Sequence, residues 1–118
     1  MITAVIILGH GSRTGDADSG IKRVTAEVKT SGGFDMVAHA FLQYMQPGPE
    51  EVIDRCVSAG ADRIVIVPFF LQPGAHAMKD VPALALKIKT RYPGIDIFVT
   101  DLVVPILLSP RLLPILPR

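Results

Sequence analysis

The chain has little of several things that would settle a function quickly. There is one cysteine, Cys56, no tryptophan, two tyrosines and three histidines in 118 residues. A single cysteine excludes a disulfide within the chain and a thiolate zinc site built by one copy. It fits a reducing cytoplasm. An excess of charge of either sign is also lacking, with a formal net charge of +1. With no basic stripe and few aromatic rings, a nucleic-acid surface is not expected. No apolar run approaches the roughly 18 to 20 residues that a spanning helix needs, so no membrane partner is expected. "MITAVIILGHG" carries no basic leader and runs straight into a strand pattern, so it does not read as a signal peptide.

What the chain does have is apolar residues, nearly half of the total, and a mean hydropathy of +0.42. One domain of this length can bury about two thirds of its unfolded surface. The richness implies a sheet covered on both faces, or apolar surface that meets a partner.

Four extended runs alternate with three helical patterns. "ITAVIIL", 2–8, is a continuous β-branched run of the kind found in buried parallel strands. A helix follows over 17–30, with Ile21, Val24 and Val28 on one stripe, and Gly32 and Gly33 can end it in a left-handed turn. "FDMVAHAFLQ", 34–43, is the second strand. "PGPEEVIDRCVSAG" is the clearest helix: Pro49 suits the first turn, Glu50 and Glu51 suit its positive end, and Gly60 closes it. Cys56 lies on its apolar stripe and reads as core. "RIVIVPFF", 63–70, is the third strand, and "LQPGAHAMK" reads as a loop. The third helix is expected from about Asp80 to Arg91, and "IDIFVT", 95–100, is the fourth strand.

Alternation of this kind predicts an α/β fold with a parallel sheet and helices on both faces. Right-handed crossovers narrow the topology, and the flavodoxin-like strand order is 2-1-3-4. The domain is expected over residues 1–101. The remainder, 102–118, carries prolines at 105, 110, 114 and 117 and reads as a separate proline-rich tail.

Open α/β sheets bind ligands beyond the carboxyl ends of the strands where the order reverses. Here that point lies between strands one and three. Its two loops are "GHGSRTGD" and "LQPGAHAMKD", and each contains a histidine, His10 and His76. Two imidazoles across a cleft suit a borderline divalent metal such as Co, Ni, Fe or Zn. Two nitrogen ligands are too few for a closed structural site and suit a metal that is handed on. Rival readings are weaker. The glycines of "GHGSRTG" are one residue off a dinucleotide fingerprint, and Gln43 stands where strand two would need an acid. "GHGSR" is not the G-x-S-x-G nucleophile turn, and no aspartate is evidently placed to orient His10 toward Ser12. His39, in mid-strand, reads as a core or interface histidine.

At these loops the sequence resembles the small CbiX-type sirohydrochlorin chelatases. The matching pieces are "LGHGSR", "AFLQYMQPGPEEVI" and "IVIVPFFLQPGAHAMKDVP", in family order and spacing. The resemblance implies a single chelatase-like lobe that inserts a divalent metal into sirohydrochlorin, a carboxylate-rich tetrapyrrole. Cobalt is first in line, with iron or nickel as alternatives. The metal is then a substrate, and no permanently bound cofactor is expected. The short form of the family pairs as a homodimer. The family's metal-binding histidines carry over onto His10 and His76, as ligands and as catalytic bases. Ser12, Arg13 and Lys79 are expected to meet the substrate, the last two through its carboxylates. Gly9, Gly11 and Gly74 would let backbone approach a flat macrocycle. Phe69, Phe70 and Leu71 are candidates for an apolar wall. A metal- or tetrapyrrole-binding protein without turnover is the alternative. Two departures motivate it: relatives often carry Glu at the position of Gln43, and "VVPILLSPRLLPILPR" lacks the family's final helix.

Overall fold

The computed structural model describes residues 2–11, 18–31, 33–69 and 75–100, and the side chains of all of these except 18, 19, 31 and 75–78. The tail, 102–118, lies outside the described residues.

Seven elements alternate along the chain: β1 (Thr3–Gly9), α1 (Asp18–Ser31), β2 (Met36–Phe41), α2 (Pro49–Ser58), β3 (Arg63–Pro68), α3 (Ala75–Arg91) and β4 (Asp96–Val99). The four strands form one parallel sheet in the order β2-β1-β3-β4. The fold class is the one the alternation predicts, and the strand order is the one expected of a flavodoxin-like sheet. Strand ends differ from the expected ones by one or two residues.

The central strand shows why the sheet needs two covers. Ala4 through Leu8 are all at most 1% exposed, and period-two alternation sends successive side chains to opposite faces. Ala4, Ile6 and Leu8 pack with Ile64 and Ile66 of β3 against α2 and α3, through Val52, Ile53, Cys56, Val81, Leu84 and Ile88. Val5, Ile7, Val65 and Val67 pack against Ile21, Val24 and Val28 of α1. Each such aliphatic side chain contributes about 2 kcal/mol when fully buried.

The termini of α2 follow the sequence signals. Gly48 is the N-cap, Pro49 opens the helix, Glu50 and Glu51 occupy the first turn, and Gly60 beyond the end takes φ +108°. After α1, Gly33 takes φ +93°, a left-handed position that glycine fills without steric cost.

One helix departs from expectation. α3 begins at Ala75, not near Asp80, so His76 stands in its first turn rather than in a loop. "KDVP" reads as a helix start because proline is at home in a first turn. Here Pro82 lies inside the helix instead, exposed. The stripe of Val81, Leu84 and Ile88 in the core holds the helix through the one backbone donor that proline lacks.

Candidate functional site at the sheet switch point

The order reverses between β1 and β3, which pair side by side from Thr3↔Arg63 to Leu8↔Pro68. The chain leaves both strands at the same edge. His10 is the first residue beyond β1, and α3, with His76 in its first turn, follows β3. The His76 side chain lies outside the described residues, as do Ser12, Arg13, Gly74, Phe70 and Leu71. Lys79 is exposed on α3, three positions after His76 in the sequence.

β2 closes the other side of His10. Leu42 N–H donates to Gly9 O at 2.9 Å, and Gln43 N–H to His10 O at 3.2 Å. The β1–β2 ladder therefore continues past both strands and fastens the two loops together. Gly11 completes the join with φ +92°, and a Cβ there would fall on the Gln43 carbonyl oxygen. A Cβ at Gly9 would come within 2.9 Å of Ile21 Cδ1 and 3.2 Å of Phe41 Cδ1. Both glycines thus have a packing reason within the protein, beside the clearance expected for a flat ligand.

The same join brings a side chain to the imidazole. Gln43 Nε2 lies 3.2 Å from His10 Nε2 and 3.4 Å from Nδ1. His10 Nδ1 is also 3.4 Å from Gly11 O. Near-equal distances to both ring nitrogens put the amide nitrogen over the face of the imidazole, not in line with either in-plane lone pair, and the Gly11 carbonyl suits a proton on Nδ1. An amide resting on a ring face is a weak contact, worth at most about 1 kcal/mol. That is enough to bias the tilt of the ring, and too little to hold it against a divalent metal. His10 is half-buried, so the nitrogen is positioned without being sealed off. Among the described residues no group of three or more His, Cys, Asp or Glu side chains gathers as a metal cage.

His39 takes no part in this cluster. It lies in mid-β2 and meets the Phe41 ring edge-on, at 5.7 Å between centroids and 71° between planes. Phe69 packs against the α1-side core. Cys56 is buried, and desolvation pushes its thiol pKa up, against a smaller opposing effect of Arg55. A raised pKa argues against a thiolate role. The contact that sequence reasoning missed is Gln43 with His10, 33 residues apart. Its one trace in the sequence is that both residues end adjacent strands.

A parallel α/β lobe with His10 at its switch point holds that imidazole at the edge where open sheets of this class bind ligands. The CbiX family pattern matches residues 4–110, and the chain belongs to that family. A sirohydrochlorin cobaltochelatase of Methanopyrus kandleri is 31% identical over 83 residues, 70% of this chain and 58% of that protein. The chloroplastic sirohydrochlorin ferrochelatase of Arabidopsis thaliana is 31% identical over 96 residues, 81% of this chain and 43% of the other. Among solved structures, SirB from Bacillus subtilis with Fe3+ superposes with a TM-score of 0.76 at 30% identity, over 86% of this chain and 40% of that one. The chain spans about half the length of these relatives.

Proposed function

We propose that the chain is a chelatase that inserts a divalent metal into sirohydrochlorin, with Co2+ as the first candidate and Fe2+ or Ni2+ as the others. One observation carries the reading: the His10 imidazole stands at the switch point of a CbiX-family lobe, against the Gln43 amide, at the edge where such sheets bind ligands. The names of the relatives support the substrate, and SirB structures with Fe3+ and with cobalt support the choice of metals.

In this reading His10 and His76 hold the incoming metal through neutral imidazole nitrogens. The grip is loose, because a metal held by few neutral donors is easily surrendered to four pyrrole nitrogens. Two N–H protons leave the macrocycle as the metal enters. An imidazole that has released the ion regains a lone pair, so it can take one of them. Gln43 orients His10 before metal arrives. Turned over about its last torsion, the same amide presents its carbonyl oxygen instead. Arg13 and Lys79 are assigned to the carboxylates of the substrate, and Ser12, Gly9, Gly11 and Gly74 to its approach.

The resemblance to the family supports a homodimer. The lone buried Cys56 supports a reducing cytoplasm. No helix among the described residues is long and apolar enough to cross a membrane.

The neutral Gln43 supports a second reading, a metal- or tetrapyrrole-binding protein without turnover. A single assay separates the two. Purified protein is mixed with sirohydrochlorin and Co2+, Ni2+ or Fe2+ in parallel, and the visible spectrum of the macrocycle is followed. Insertion above the uncatalysed rate, lost in His10→Ala and His76→Ala, is the expected result. Saturable binding with no rate above background would establish the second reading.

A further inference from the structure

Among the described residues Tyr44 is the one non-glycine residue with a positive φ, +66°. Glycine, asparagine and aspartate visit that region at low cost, but a bulky aromatic residue does not. Strain of this kind persists where the surroundings over-determine the backbone, and it gathers at sites of function.

The surroundings are visible on both sides. Before Tyr44 the chain is held by Leu42 N–H on Gly9 O and Gln43 N–H on His10 O. After it, Met45 N–H returns to Gln43 O at 2.8 Å, and Pro47 O takes the N–H of Phe41 at 2.9 Å. Leu42 packs into the core on the α2–α3 side and Met45 into the core on the α1 side. Between these two anchors Gln43 and Tyr44 stand out at the carboxyl edge of the sheet. The strained conformation serves no burial, since Tyr44 is 58% exposed. What it does is turn the chain sharply at Tyr44, closed by Met45 N–H on Gln43 O, directly after the residue whose amide touches His10.

We propose that Tyr44 is a substrate-contacting residue, whose ring stacks on the flat conjugated macrocycle and sets it beside His10. This deepens the chelatase reading and rests on it. A large apolar face with an electron-rich π-system is the chemistry that a tetrapyrrole plane accepts by offset stacking. A ring on a backbone held from both sides loses less freedom when it stacks than one on a loose loop.

Three variants test this. Tyr44→Ala raises KM for sirohydrochlorin about tenfold with kcat changed less than twofold. Tyr44→Phe, which keeps the ring, restores KM to within twofold of the parent. Tyr44→Gly gives the sharpest result: it relieves the positive φ, so the urea midpoint rises while KM rises as well. A residue with a purely structural role would show KM and stability moving for the worse together, or KM not moving. If the parent chain inserts metal and KM stays within twofold in both Tyr44→Ala and Tyr44→Gly, the stacking role is overturned and the chelatase reading stands. If the parent neither inserts metal nor binds sirohydrochlorin, the chelatase reading fails and the stacking role falls with it. Co2+ titrated without macrocycle should bind all three variants as it binds the parent. Loss of that binding would show that the ring supports the metal site instead, and would overturn the proposal.

Discussion

Gly11 and Gln43 meet backbone against backbone, with the Gln43 carbonyl occupying the space where a side chain at residue 11 would begin. The contact is with main chain at the end of a strand, which cannot swing aside as a side-chain tip can. Gly11→Ala therefore has to move the β1 and β2 loops apart while also adopting φ +92°. We expect a loss of about 3 kcal/mol of stability, read from urea unfolding, with metal insertion reduced further than stability alone explains. A variant as stable as the parent would show that the two loops are not joined in this way.

Gln43→Glu keeps the shape of the side chain and adds a negative charge beside His10. An anionic oxygen donor holds a divalent cation more tightly than a neutral amide does. The dissociation constant for Co2+, by calorimetric titration, should fall about tenfold. Release to the macrocycle should slow in step. An unchanged constant would place residue 43 outside the metal's reach.

Gly9→Ala probes the wall behind the site. The added methyl meets Ile21 Cδ1 at 2.9 Å, and overpacking of this sort costs about 1 to 3 kcal/mol. Ile21→Val removes that methyl group and alone costs about 1 kcal/mol. In the double variant part of the loss should return. Thermal unfolding of the four proteins gives the coupling, and strict additivity would rule the contact out.

The last prediction concerns pH. The Tyr92 hydroxyl donates to Asp54 Oδ1 at 2.5 Å, and that bond raises the phenol pKa above its ordinary value, with burial adding to the effect. A group whose pKa is higher folded than unfolded stabilises the fold while protonated, and the gain disappears as pH rises through the folded value. The parent should thus exceed Tyr92→Phe in urea midpoint at pH 8, and the gap should close above about pH 10. A gap that widens with pH would reverse the sign of this linkage.

Much of the fold was legible in the sequence because its signals are local. β-branched runs mark β1 and β3, while Pro49 and Gly60 bracket α2, and alternation marks the sheet as parallel. The start of α3 was not legible. Pro82 imitates a helix start, and only burial of Val81, Leu84 and Ile88 on one stripe carries the helix through it. At the site, His10 could be picked out because a strand ends one residue before it. Its contact with Gln43 could not, since it depends on the register of two strands 33 residues apart in sequence. Gly9 and Gly11 were legible as glycines that something requires. That the requirement includes Ile21 and the Gln43 carbonyl is a matter of packing, which no local pattern encodes. Tyr44 left no trace, because a left-handed tyrosine looks like any other tyrosine in a sequence.

The bond from Phe41 N–H to Pro47 O also bears on how the protein avoids joining its neighbours. β2 is an edge strand, and the Phe41 N–H faces away from β1. An open edge donor invites another chain to lengthen the sheet. Here the chain's own return covers that donor at the carboxyl end of the strand. Intermolecular β-pairing is blocked where it would otherwise run up against Gln43 and His10. Crowded or concentrated protein should thus keep the mouth of its site clear of fibril-like growth along that edge.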